Sequence, residues 1–146
     1  MIAGFVTNLI STTEPQDLIG CIAEENDLIV GCIFFSRLIV PSGQVAFIMS
    51  PVAVSTDVQS SGIGQNLINY GLDHLRSAGV NLAFTYGDPA YYCKTGFEPV
   101  SEDVIKAPCH LSQPFGWQVQ SLDGLEIRAM SGATQCVEAL NDPALW

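Results

Sequence analysis

Only five of the 146 residues are Lys or Arg, against 15 Asp and Glu, which leaves a formal net charge of −10. Proteins that track a polyphosphate backbone do so with clustered cations, so the charge argues against nucleic acid as a partner. An acidic field is compatible with a cationic small substrate and equally with an ordinary soluble surface. No apolar run approaches the roughly 18–20 residues that cross a bilayer, and no basic stretch with a cleavage site opens the chain. The expectation is a cytoplasmic protein without a membrane partner. Histidine is scarce as well: His74 and His110 have no neighbouring ligand residues. The cysteines (Cys21, Cys32, Cys93, Cys109 and Cys136) include no C-x-x-C pair, so no metal site and no disulfide framework is expected. Cys21 and Cys32 stand in apolar runs and read as packing residues.

Apolar residues make up 48% of the chain and charged residues 14%, a balance that belongs to a folded protein. A length of 146 residues suits a single domain over 1–146, because two cores would each be too small. Residues 2–10 predict a short helix with Phe5 and Leu9 on one face. Leu18–Ala23, Leu28–Val40 and Gln44–Val54 predict three strands, joined by the polar turn Glu24–Asp27 and by Pro41-Ser42-Gly43, which makes an antiparallel meander. Successive apolar residues in Leu28–Val40 predict a strand covered on both faces. From 62 to 78 the spacing turns helical, with Ile63, Leu67, Tyr70 or Gly71, Leu75 and Ala78 near one stripe, and Gly79 ends the helix. Val80–Tyr86 predicts another strand. Asp88-Pro89 then forms an N-cap and first residue for a short helix to about Thr95. Strand, helix and strand in succession place a parallel crossover beside the meander. A strand over Gly116–Leu122 is weaker, and 124–146 carries no pattern, although Trp146 suggests a tail that docks.

Val52-Ala53-Val54 lead into Gln59-Ser60-Ser61-Gly62-Ile63-Gly64 and then into the helix. A helix N-terminus offers N–H groups without intrahelical partners and a partial positive charge, which together seat a phosphate. Gly62 and Gly64 let that backbone come close to an anion. Two standard phosphate loops are excluded: Gln65-Asn66 stand where a P-loop needs Lys-Ser/Thr, and Leu67 stands where a dinucleotide fingerprint needs its third glycine. On local spacing alone, a tight strand-to-helix connection without a ligand is the favoured reading.

Gln59-x-x-Gly62-x-Gly64 after an apolar strand resembles the Q/R-x-x-G-x-G/A motif of the GNAT N-acetyltransferase superfamily. Gly87-Asp88-Pro89-Ala90-Tyr91-Tyr92-Cys93-Lys94-Thr95-Gly96-Phe97 resembles the G-D-P-x-Y-Y-x-x-x-G-F signature of predicted acetyltransferases of the YhbS type. The resemblance covers residues 17–122 and implies an α/β (α+β) fold. It would be a mixed, mainly antiparallel sheet flanked by helices, without part of the family's N-terminal strand-helix region. It implies acetyl-CoA as cosubstrate, with no metal. The pantetheine arm would lie along Val52, Ala53 and Val54, and the diphosphate on Gln59, Ser60, Ser61, Gly62, Ile63 and Gly64. It implies that Tyr92 protonates the departing thiolate, a role that suits a phenol near a sulfur leaving group. Tyr91 and Phe97 read as core aromatics.

The reaction implied is attack of an amine on the thioester in a ternary complex, an acyltransferase of the EC 2.3.1 type. Backbone N–H groups near Val54 would face the charge that develops on the carbonyl oxygen. Residues 44–54 contain no Asp or Glu, so the resemblance assigns no general base. The turn has no Arg or Lys, which leaves the diphosphate to backbone and dipole. The short front end leaves an open sheet edge, and with it an expected homodimer. A noncatalytic CoA-binding or protein-interaction module is the alternative reading, and a nucleotide-binding domain unrelated to CoA is a third.

Overall fold

The structure is a computed structural model that describes residues 2–56, 59 and 61–146. Ser60 of the expected diphosphate turn therefore lies outside the described residues. Helix α1 spans Ile2–Thr12, β1 Leu18–Glu25, β2 Leu28–Ile39 and β3 Val45–Val54. Helix α2 follows over Ile63–Ser77, then β4 over Leu82–Tyr86, α3 over Pro89–Tyr92, β5 over Glu98–Pro99 and β6 over Trp117–Ser121. The six strands form one sheet in the order β1-β2-β3-β4-β6-β5. Only β3 and β4 pair in parallel, as a crossover through α2 requires, and the other pairs are antiparallel.

The first hairpin is tighter than the sequence reading had it. Glu24 and Glu25 belong to β1, opposite Ile29 and Leu28, and the turn is Asn26-Asp27 alone. Both turn residues have positive φ, 52° and 65°, the geometry of a two-residue hairpin whose twist matches its strands. Strand β2 also departs from expectation. Phe35 through Leu38 is packed on both faces of the sheet, but Leu28 and Ile29 at the hairpin end are exposed. The two-residue β5 carries too little sequence to announce itself.

Each sheet face has its own core. On one, Ile33, Phe35, Phe47 and Met49 meet Leu67, Ile68, Leu72 and Leu75 of α2. The alternative between Tyr70 and Gly71 resolves in favour of Gly71, which lies under the Phe35 ring, while Tyr70 is exposed. On the other face Leu38, Ile48, Phe84, Trp117 and Val119 are covered by the 104–111 segment, by Leu140 and by Trp146. Leu9 of α1 is fully buried, and α1 packs on the turn at Glu138–Leu140. The tail does dock: Trp146 stacks on Tyr86 at 5.5 Å, and its Nε1–H donates to the Leu140 carbonyl at 2.9 Å.

Trp117 is the centre of this second core. It is fully buried, stacks on Phe84 at 5.1 Å and donates its Nε1–H to the Ile105 carbonyl at 2.9 Å. Trp117→Ala is expected to remove about 3–5 kcal/mol, by opening a cavity and orphaning a buried carbonyl. Urea unfolding measures this directly, and a loss below about 1 kcal/mol would contradict the packing described.

Candidate active site

The parallel pairing of β3 and β4 ends early. It runs from Ala46–Leu82 to Met49–Thr85, after which the two strands part. The cause lies in β3. Phe35 opposes Met49 and Ile33 opposes Val52, so Ser50 and Pro51 together face the single residue Phe34. A bulge of this kind bends its strand and ends pairing on the far side. Beyond it β3 keeps β2 as partner and leaves β4, and a cleft of about 730 Å³ opens at the parting.

The backbone of β3 faces this cleft in a defined way. Ser55 N–H donates to the Val30 carbonyl at 2.7 Å, so Ser55 turns toward β2. Alternation along a strand then turns Val54 and Val52 to the opposite side, and Ala53, paired with Cys32, back toward β2. The side chain of Gln59 bears out this phase, since its Nε2 donates to the Val54 carbonyl at 3.1 Å. On this phase the Val52 N–H and C=O and the Val54 N–H point away from β2, toward the cleft that Val52 and Val54 line.

The start of α2 forms the second wall, with Gly62, Gly64 and Gln65 lining the cleft. Gly62 caps the helix with φ at 87°, in the left-handed region that favours glycine, and a Cβ there would meet nothing within 4 Å. Gly64 is required by proximity instead, because the Tyr91 hydroxyl occupies the place its Cβ would take.

The third wall is the turn after β4. Asp88 caps α3 as the sequence predicts, its Oδ1 accepting the Ala90 N–H at 3.0 Å, with Pro89 next. Tyr91, Tyr92 and Lys94 then line the cleft. Tyr92 packs edge-on against Tyr91 at 5.2 Å and against Phe97 at 6.2 Å. Burial first, and then the neighbouring Tyr91 and Asp88, hold its hydroxyl above the ordinary tyrosine pKa. Tyr92 therefore keeps its proton throughout the neutral range.

Of the residues singled out from sequence, Val52, Val54, Gln59, Gly62, Gly64 and Tyr92 converge on this cleft. Ala53 turns its backbone away, and Ile63 faces a separate groove between α2 and β1. Ser61 is exposed at the same turn. Four further wall residues were not anticipated: Gln65 at the helix start, Tyr91, Asp88 and Lys94. Tyr91 packs on the core and also presents its hydroxyl to the helix start. Asp88 adds a carboxylate to the same walls, and Lys94 supplies the cation missing from the 59–64 turn. Among the described residues no carboxylate lies within ion-pairing distance of Lys94, whereas Arg37 and Arg76 are paired with Asp17 and Asp73. No group of three or more His, Cys, Asp or Glu that would suit a metal occurs among the described residues. None of their helices is long and apolar enough to cross a membrane.

A strand splayed by a bulge, with glycines opening the next helix beneath it, defines a class, and the comparisons agree. Residues 16–99 match the acetyltransferase (GNAT) domain model, and the chain belongs to that family. It is 28% identical over 142 residues to YjhQ of Escherichia coli K12, an uncharacterised N-acetyltransferase, covering 93% of this chain and 78% of that protein. It is 32% identical over 82 residues to YhbS of the same organism, likewise uncharacterised; this match takes in 55% of the chain and about half, 49%, of YhbS. The crystal structure of E. coli YhbS in complex with CoA superposes with a TM-score of 0.81 at 26% identity, over 96% of this chain and 77% of that one. A GNAT acetyltransferase of Brucella melitensis in complex with acetyl-CoA shares the fold, with a TM-score of 0.72 at 24% identity, over 94% of this chain and 76% of that one. The mixed sheet flanked by helices is thus the GNAT fold.

Proposed function

We propose that the chain is an acetyl-CoA-dependent N-acetyltransferase that passes an acetyl group to an amine by direct attack. The observation that carries this reading is the convergence of three walls on one cleft: free backbone groups of Val52 and Val54, the glycine-opened start of α2, and the Tyr92 hydroxyl. The cleft fits the cosubstrate group by group. The Val52 N–H and C=O match the amides of a pantetheine arm laid against β3 as an added strand. The N–H groups at the start of α2 suit a diphosphate, and Lys94 across the cleft adds the charge that a −10 protein otherwise withholds from an anion. CoA in YhbS and acetyl-CoA in the Brucella acetyltransferase support the choice of ligand.

On this reading Val54 N–H faces the thioester carbonyl and stabilises the negative charge that develops on its oxygen. Tyr92, kept protonated by burial, gives its proton to the departing sulfur. The amine must first lose a proton to solvent. Its nitrogen then bonds to the acetyl carbon as the carbon–sulfur bond breaks, and the second proton the nitrogen sheds restores the Tyr92 hydroxyl, so the products are an amide, CoA thiol and the one proton released to solvent. Residues 1–146 act as one acyltransferase domain in this account.

Thermal unfolding with millimolar acetyl-CoA, and with ATP in parallel, tests it. A ligand at about 100 times its Kd adds about 2.7 kcal/mol, which for a domain of this size is a rise of about 5–10 °C. The expected result is a rise with acetyl-CoA and none with ATP, followed by amine-dependent CoA release in a thiol assay. A rise without release from any amine would favour a noncatalytic CoA-binding module. Equal rises with both ligands would point to a general nucleotide site.

A further inference from the structure

On the sheet face opposite α2, a pocket of about 470 Å³ opens beside the end of β4. Asp88 lines both this pocket and the cleft of Val52, Gly62 and Tyr92, so the two meet at that residue. A molecule bound in the pocket would thus lie beside the cleft at Asp88.

The walls are unequal in kind. Tyr86 and Trp146, stacked at 5.5 Å, form a flat apolar side. Phe115 stands at the mouth with 63% of its surface exposed, an aromatic ring left in water where nothing in the fold covers it. The polar atoms nearby are mostly committed. The Tyr86 hydroxyl accepts the Gln113 N–H at 2.8 Å and bonds the Ser112 hydroxyl at 3.2 Å. The rim itself is fixed: Gly87 N–H donates to the Gly116 carbonyl at 3.0 Å, and the buried Gln118 amide donates to the carbonyls of both Gly87 and Gly116. Among the described residues that line the pocket, Asp88 is the only one with a charged side chain, and its Oδ1 accepts the Ala90 N–H.

We propose that this pocket is the acceptor site and that its substrate is a monoamine with a flat aromatic body, held as ammonium by Asp88 and by its ring against Phe115, Tyr86 and Trp146. One carboxylate matches one positive charge, and three aromatic rings match a flat apolar group, with cation–π attraction as a further contribution. Other acceptors fit less well. A polyamine would leave its remaining charges without acids, and a free amino acid would bring a carboxylate to walls that hold no Lys or Arg. Asp88 positions the ammonium, and no base is assigned to the amine.

The inference rests on the acetyltransferase reading, and its test separates the two. With acetyl-CoA saturating, CoA release is measured from 2-phenylethylamine, tryptamine, spermidine and lysine. The aryl monoamines are expected to exceed spermidine and lysine at least tenfold in kcat/KM. Phe115→Ala, an exposed residue outside both cores, should raise the KM for 2-phenylethylamine at least fivefold and leave the KM for acetyl-CoA unchanged. Asp88→Asn, which retains the helix cap, should raise the amine KM more than it lowers kcat. Turnover that favours spermidine or lysine, or an amine KM indifferent to Phe115→Ala, overturns the acceptor assignment while the acetyltransferase reading stands. If no amine is acetylated, calorimetry of 2-phenylethylamine against CoA-saturated protein decides. Binding that is lost in Phe115→Ala retains the pocket assignment, and absence of binding overturns it.

Discussion

Gly62→Glu is expected to lower acetyl-CoA affinity at least a hundredfold in a chain that still folds. The substitution is well posed because two effects can be separated. With φ at 87° any L-residue at this position is strained by about 1–2 kcal/mol, but its Cβ meets no atom within 4 Å, so packing is undisturbed. What Glu adds is a carboxylate at the place where N–H groups and the helix dipole are to meet a diphosphate. Two unit charges about 4 Å apart repel by about 4 kcal/mol at an effective dielectric near 20, and each 1.4 kcal/mol is a factor of ten in affinity. Gly62→Ala carries the strain without the charge and should cost only a few-fold. Isothermal titration of both variants makes the comparison. Equal binding by Glu and Ala would remove the phosphate seat from α2 and undo the cofactor assignment with it.

The helix start proposed as that seat was legible in the sequence because everything that builds it is local. Gly62 and Gly64 announce a helix start, and Asp88-Pro89 announces another, found with its cap bond in place. The meander and the α2 stripe were equally plain, since period two and period 3.6 are properties of consecutive residues. The unread features are those set by distant partners. The splay of β3 comes from a one-residue mismatch with β2, and nothing in QVAFIMSPVAV alone says which side of Pro51 keeps its pairing. Tyr91 sits on a helix of a single turn and Lys94 on the 3-10 turn Cys93–Thr95 that follows, both too short for a stripe to show which residues face the cleft. The tail gave no periodicity because it forms almost no regular structure. It holds through contacts such as Ile39 with Gln135, Lys106 with Thr134, and Trp146 on Tyr86. Ala144, Leu145 and Trp146 of that tail help to form the pocket beside β4, which therefore could not be foreseen.

Tyr92→Phe is expected to reduce kcat about 10- to 100-fold with little change in the KM for acetyl-CoA. The magnitude follows from the usual worth of general acid catalysis, about 10²–10⁴-fold, reduced because a thiolate leaves more readily than an alkoxide or amide and because water can donate in the hydroxyl's place. The change is sterically mild: the ring keeps its edge-on contacts with Tyr91 and Phe97 and its position over Gly87. A purely structural Tyr92 would therefore tolerate the loss of one oxygen, and turnover would persist. The pH behaviour gives a second and independent reading. Burial raises the Tyr92 pKa in the folded state, so the folded protein holds this proton at a pH where the unfolded chain has released it. The associated stability is fully present below about pH 10 and is lost as pH rises beyond it. The wild type should accordingly lose thermal stability more steeply above pH 10 than Tyr92→Phe does. Alkaline loss of stability together with unaltered kcat would make Tyr92 a buried packing residue. Loss of both in the variant would tie the cleft's proton to the reaction itself.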